Sequence, residues 1–175
     1  MGFFDKFKKA AKPAKPEALG VSAPAGTVLA PVTGKAVKLE DVSDPVFSSG
    51  AMGKGCGVEP EGECVYAPVS GTLTAAGAPN YHALGIQGDD GAEVLIHVGV
   101  DTVEMKGEGF TVYGEKGAHV NAGEPLLSFS KDKIKAAGHD TVVIMALTNT
   151  DDFASVELTH EGPVQAGEPV INFKK

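Results

Sequence analysis

Arginine is missing from this chain. All fifteen cations among its 175 residues are lysines, set against 23 Asp and Glu for a formal net charge of −8. Without a guanidinium for bidentate contacts to phosphate or guanine, and with an acidic balance, nucleic-acid binding is set aside. Long apolar runs are missing too: no stretch of about eighteen apolar residues is present to cross a membrane as a helix. No apolar core follows the early lysines, so they do not read as a secretory signal. Cysteine is scarce. Cys56 and Cys64 are the only two, and with no export signal they read as reduced thiols of a cytoplasmic protein, small buried hydrophobes without chemistry. A disulfide across a hairpin is the minor alternative.

Glycine and proline, by contrast, are plentiful: 23 and 11 residues, together about a fifth of the chain. That is too many for a helical bundle and suits short strands joined by tight turns. Charge is unevenly spread. Residues 1–20 hold five lysines against Asp5 and Glu17, a balance of +3, which leaves −11 for the remainder. Phe3, Phe4 and Phe7 fall on one side of a helix and Lys6, Lys8 and Lys9 towards the other. At an anionic bilayer the rings can insert while each basic residue contributes about 1 kcal/mol. The plain reading of the same residues is a frayed, solvated start. Pro13, Pro16 and Pro24 mark residues 12–26 as a linker. We therefore expect a basic amphipathic segment and linker over 1–20 and a folded domain over 21–175.

From Thr27 onward short apolar runs alternate with turn signals at intervals of roughly ten residues. Helical periodicity is weak, with one short helix expected around Lys131–Ala137. Two segments are duplicated. Ala30-Pro31-Val32-Thr33-Gly34 returns as Ala67-Pro68-Val69-Ser70-Gly71, and the ten residues from Val120 to Phe129 return as Val164 to Phe173. The pattern predicts an all-β, antiparallel β-sandwich or partly closed barrel with approximate internal twofold symmetry and few helical turns.

Of the five histidines, His119, His139 and His160 sit among turn residues and read as solvated. His97 closes the apolar run Glu93-Val94-Leu95-Ile96 and is followed by Val98-Gly99, which places it at a sheet rim. His82, in Asn80-Tyr81-His82-Ala83-Leu84-Gly85, is also where a strand meets a turn. If these strands are neighbours, two imidazoles converge. Such a pair can bind zinc, although two ligands fall short of a stable site. It can act as base and orienter in hydrolysis, although no Ser or Cys nucleophile is matched to it. Or one ring can attack phosphorus while the other donates to the phosphoryl oxygens. Imidazole suits that use because much of it is neutral near pH 7.

The run Leu95-Ile96-His97-Val98-Gly99-Val100-Asp101-Thr102-Val103-Glu104-Met105-Lys106-Gly107-Glu108-Gly109-Phe110 resembles the active-site signature of the glucose-family enzyme IIA, a phosphocarrier of the bacterial phosphoenolpyruvate-dependent sugar phosphotransferase system. Asp44-Pro45-Val46-Phe47, Met52-Gly53-Lys54-Gly55, Ala67-Pro68-Val69-Ser70-Gly71-Thr72 and His82-Ala83-Leu84-Gly85-Ile86 extend the match, and Met1-Gly2-Phe3-Phe4-Asp5-Lys6-Phe7 looks like the amphipathic start of stand-alone members. The resemblance implies a β-sandwich with a duplicated hybrid motif. It implies phosphorylation of His97 on Nε2, with His82 hydrogen-bonding the phosphoryl group. It implies delivery by the histidine-containing phosphocarrier protein and transfer to a cysteine of a sugar-specific IIB domain in a IIB/IIC permease. Asp44 and Asp101 match carboxylates flanking the family's site, where they would pair with a basic donor and then repel the new phosphohistidine. Val46, Phe47, Met52 and Val98 would form an apolar rim for partners. Asn80 stands where the family often has Thr, and can still offer a hydrogen bond. No cofactor is required; zinc is expected on His82 and His97 only if a partner adds a carboxylate. A cytoplasmic, peripherally membrane-associated protein follows, with a regulatory role towards transporters or metabolic enzymes as the alternative. Glu104-Met105-Lys106 faintly resembles a lipoyl or biotinyl attachment segment, but that reading leaves His97 unexplained.

Overall fold

Turn residues divide the chain as their frequency predicts. The computed structural model describes residues 14–175; Phe3, Phe4, Lys6, Phe7, Lys8 and Lys9 lie outside the described residues. The first half runs through strands β1 (Thr27–Leu29), β2 (Gly34–Lys38), β3 (Lys54–Pro60), β4 (Cys64–Tyr66), β5 (Gly71–Ala75), β6 (Ala83–Gly88) and β7 (Glu93–Val98). The second half holds β8 (Phe110–Val112), β9 (His119–Val120), β10 (Pro125–Phe129), β11 (Val143–Leu147), β12 (Ser155–Leu158), β13 (Gly162–Val164) and β14 (Pro169–Lys174). Two short helices, α1 (Pro45–Ser48) and α2 (Lys131–Ala136), and 3-10 turns at Leu39–Asp41, Thr102–Met105 and Thr150–Asp152 complete it.

An eight-stranded sheet in the order β13-β2-β3-β11-β7-β6-β5-β9 faces two three-stranded sheets, β1-β14-β12 and β4-β10-β8. The pairings are antiparallel, so the architecture is the expected β-sandwich. Its interior is aliphatic: Val58, Leu84, Ile86, Ile96 and Met145 of the large sheet meet Val28, Val65, Leu127 and Ile171 of the small ones. The outer face of the large sheet carries a second apolar cluster of Leu39, Val42, Phe47, Val142, Ile144 and Ala146. Period-two alternation divides β7 between them. Val94, Ile96 and Val98 enter the sandwich core, whereas Leu95 packs against the outer cluster. His97, one residue from Ile96, shares that outer side.

The duplicated segments interlock. Gly123 N donates to Ala67 O at 2.9 Å and Ala67 N to Glu124 O at 2.8 Å; in the other copy Gly167 N donates to Ala30 O at 2.9 Å and Ala30 N to Glu168 O at 2.7 Å. The two halves are cross-joined by Leu29 N to Pro68 O and Tyr66 N to Pro31 O. Even the side-chain bonds repeat, with Ser70 Oγ accepting from Ala122 N and Thr33 Oγ1 from Ala166 N. Internal twofold symmetry is therefore built from matching backbone bonds as well as matching letters.

Residues 14–26 have no regular secondary structure, yet part of them is docked. Leu19 N donates to Gly123 O at 3.0 Å. A Cβ on Gly123 would come within 2.9 Å of Val21, and one on Gly167 within 3.1 Å of Leu19. The two repeat glycines, both at positive φ, thus leave a seat for Leu19 and Val21. Cys56 and Cys64 are free thiols, and burial pushes the Cys56 pKa up to about 12.

Candidate functional site

His97 lies near the end of β7, paired with Ile144 on one side and Ala83 on the other. Beyond Val98 the chain turns at Gly99, whose φ of 79° belongs to the left-handed region that glycine tolerates best. A Cβ there would collide with Thr102 Cγ2 and stand 3.0 Å from Asp140 O. The turn aims the Gly99 carbonyl at His97 Nδ1, 2.7 Å away. A carbonyl only accepts, so Nδ1 carries the proton and Nε2 of the neutral ring keeps its lone pair. Burial lowers the His97 pKa; the Gly99 bond and the charges of Asp44 and Asp101 oppose that shift.

His82 enters from the start of β6, where its carbonyl accepts from Val98 N at 2.9 Å. Its ring meets His97 edge-on, with centroids 4.7 Å apart, and Phe110 lies behind it at 6.5 Å. His82 is only 7% exposed. Desolvation, then the neighbouring His97, push its pKa down to about 4. Two neutral imidazoles therefore meet on the outer face of the large sheet.

Their surroundings depart in detail from the expected rim. Asp44 is buried and caps α1: its Oδ1 accepts from Val46 N at 3.0 Å and Phe47 N at 3.4 Å. Its immediate partners are thus within the chain. The helix it caps sets the Phe47 ring 5.4 Å from the His97 ring, with Phe47 itself buried. Val98 is fully buried and belongs to the sandwich core rather than to a rim, because alternation puts it on the face opposite His97. Met52 is partly buried against the outer cluster. Of the four apolar residues expected to meet partners, Val46 is the open one, at 53% exposure. Val103, in the turn after Asp101, is equally exposed and was not singled out from the sequence. Asp101 is exposed and held at φ 61° at the head of the Thr102–Met105 turn. Asn80 is exposed and its carbonyl accepts from Ala83 N. Tyr81 lies over Gly107, where a Cβ would overlap its ring, and so ties the His82 segment to the 105–109 loop.

The other histidines are engaged elsewhere. His119 pairs with Asp89 at 2.8 Å, His139 faces Glu104 at 3.8 Å, and His160 bonds Pro163 O. Among the described residues no group of three or more His, Cys, Asp or Glu converges to hold a metal ion, and no helix is long and apolar enough to cross a membrane.

A nucleophilic nitrogen with a second neutral imidazole beside it, at the surface of a duplicated β-sandwich, suits a protein that carries a small electrophilic group. Comparison with known proteins identifies the group. Residues 26–153 match the family described as phosphoenolpyruvate-dependent sugar phosphotransferase system, EIIA 1. The chain is 42% identical over 145 residues to a glucose-specific EIIA component of Staphylococcus aureus (strain COL), covering 82% of this chain and 86% of the relative. It is 43% identical over 141 residues to a beta-glucoside-specific EIIBCA component of Bacillus subtilis (strain 168), of which it spans 23%. In structure it is similar to glucose permease IIA from Mycoplasma capricolum, with a TM-score of 0.73, 34% identity and coverage of 83% of this chain and 93% of that one. The chain belongs to the EIIA family of the sugar phosphotransferase system. It is a phosphocarrier, a phosphotransferase component of that system.

Proposed function

We propose that His97 carries the phosphoryl group on Nε2, receiving it from the histidine-containing phosphocarrier protein and passing it to a cysteine of a sugar-specific IIB domain. The observation that carries this reading is the bond from His97 Nδ1 to the Gly99 carbonyl, which leaves Nε2 unprotonated. In the forward step the Nε2 lone pair attacks phosphorus while the phosphorus–nitrogen bond to the donor histidine breaks and its electron pair returns to the donor ring. Attack places positive charge on the His97 ring. The Gly99 carbonyl and the nearby carboxylates of Asp44 and Asp101 stabilise that charge. His82, neutral and packed against His97, has an N–H with which to steady the transferring oxygens. In the second step a cysteine thiolate attacks phosphorus and the pair of the breaking bond returns to Nε2. Transfer of this kind is mainly positioning and charge stabilisation.

Val46 and Val103 offer apolar contacts to both partners, and Asp101 an exposed carboxylate to a basic donor surface. The sugar is bound by the permease, so its identity is not set by this site. Zinc on His82 and His97 would need a partner's carboxylate, since the two rings alone do not make a complete ligand set. The chain is proposed to work in the cytoplasm, with Phe3, Phe4 and Phe7 and the lysines at 6, 8 and 9 attracting it to anionic bilayers. The test is phosphate flow from labelled phosphoenolpyruvate through purified donors. His97→Ala should take up no label, whereas His82→Ala should be labelled but pass little to IIB. Label retained by the His97 variant would overturn the assignment.

A further inference from the structure

We propose that Thr102 is a positioning residue for the phosphoryl acceptor, its hydroxyl fixing the turn whose carbonyl selects the His97 tautomer. The inference rests on the reading of His97 as acceptor and adds the means by which its nucleophilic nitrogen is kept free. Thr102 is buried, at 1% exposure. Its Oγ1–H donates to Val98 O at 2.5 Å, tying the end of the acceptor strand to the turn that bears Asp101 and Val103. Its Cγ2 occupies the place where a Cβ on Gly99 would be. The remaining backbone groups of this corner are also held: Gly99 N donates to Val142 O at 2.7 Å and Val100 N to Asp140 O at 3.1 Å. The Gly99 carbonyl is left for His97 Nδ1.

Glycine at positive φ has no side chain of its own to resist rotation of the adjoining peptides. Thr102 supplies that resistance from one side and the Asp140 backbone from the other. If the Gly99 carbonyl swings away, Nδ1 loses the acceptor that holds its proton, and part of the population places the proton on Nε2, where it blocks attack. A buried Thr bonding the carbonyl four residues back is commonly a local turn device. Here the carbonyl it holds belongs to the residue between the acceptor and its tautomer lock.

The test uses the full chain labelled with ¹⁵N-histidine, without phosphate donors for the first readout. Thr102→Val keeps shape and removes the hydroxyl; Thr102→Ser keeps the hydroxyl and removes the methyl. In the parent, His97 should show a protonated Nδ1 and an unprotonated Nε2. Thr102→Val should draw the two nitrogen shifts towards each other and slow phosphoryl uptake about tenfold, the scale of a modest misplacement of reacting groups, with the donor KM little changed. Thr102→Ser should keep both the shifts and the rate close to the parent. Unchanged shifts in Thr102→Val, whether or not the rate falls, would overturn the proposal, as would equal changes in Thr102→Ser. Should the valine variant not fold, Thr102→Ala against Thr102→Ser isolates the same hydroxyl by the same criteria. Mapping the label in the phosphorylated parent judges the acceptor separately: label away from His97 removes that reading, while the ring shifts still decide the role of Thr102.

Discussion

His82 resists protonation because its ring is taken out of water and set against a second imidazole whose positive form would repel a charge on it. Its pKa of about 4 lies below the ordinary histidine value of 6.5. Between those values the unfolded chain binds a proton that the folded chain does not, so this histidine makes stability rise with pH across the window and fall as acid is added. Above pH 6.5 both states hold it neutral and the contribution is flat. Proton NMR of the ring should therefore show His82 still neutral at pH 5.5, with its titration near pH 4. Titration of His82 near 6.5 would contradict the buried, neutral arrangement. That His82 and His97 each stand where an apolar run meets a turn was legible in sequence; their pairing came from the resemblance to the enzyme IIA signature, since strand order is not written in either segment. The lock on His97 was not legible, since the direction of the Gly99 carbonyl has no letter of its own. Val98 could have been placed correctly, because strict alternation from His97 assigns it to the core.

Helix α1 is one turn long and would be marginal without its cap. Asp44 satisfies two of its free N–H groups and Pro45 needs no donor at the first helical position. This short element holds Phe47 beside His97 and lifts Val46 into solvent. Replacing Asp44 by Ala should cost about 1 kcal/mol of stability in urea unfolding, the usual value of such a cap. Asp44→Asn should retain most of it, because an amide oxygen still accepts, while removing the charge that helps a positive His97 ring. Equal stability of Asp44→Ala and the parent would show that the helix does not depend on its cap. The Asp-Pro start of α1 is a readable signal, as is the Ser130 cap of α2, whose Oγ accepts from Lys133 N. The strands β8, β9 and β13 were not readable. With two or three residues each, they contain too little alternation to reveal a period, and neighbouring strands recruit them.

At the scale of the molecule, duplication explains why so much of the fold was legible. The same turn chemistry is used twice, and each copy's glycine donates the same backbone bond to an alanine carbonyl of the other repeated segment. What duplication did not reveal is that the chain before Thr27 lies across both copies. Leu19 and Val21 sit over Gly123 and Gly167, and Leu19 adds a hydrogen bond. The boundary between an N-terminal segment and the sandwich thus falls before Leu19 in energetic terms, because removing that residue uncovers two turns at once. Two deletions separate the tasks. Removing residues 1–13 takes away the phenylalanines and four of the early lysines; it should weaken binding to anionic vesicles and leave the melting temperature and phosphoryl uptake near those of the full chain. Removing residues 1–21 should weaken vesicle binding equally and also lower stability by about 1 kcal/mol, the order expected for losing a half-buried leucine contact and the edge of an exposed valine. Uptake from the soluble donor should survive in both, since neither Leu19 nor Val21 touches the His82–His97 pair. Equal melting temperatures for the two deletions would show that the docked residues contribute nothing to the sandwich, and undiminished vesicle binding would remove the amphipathic segment as the membrane contact.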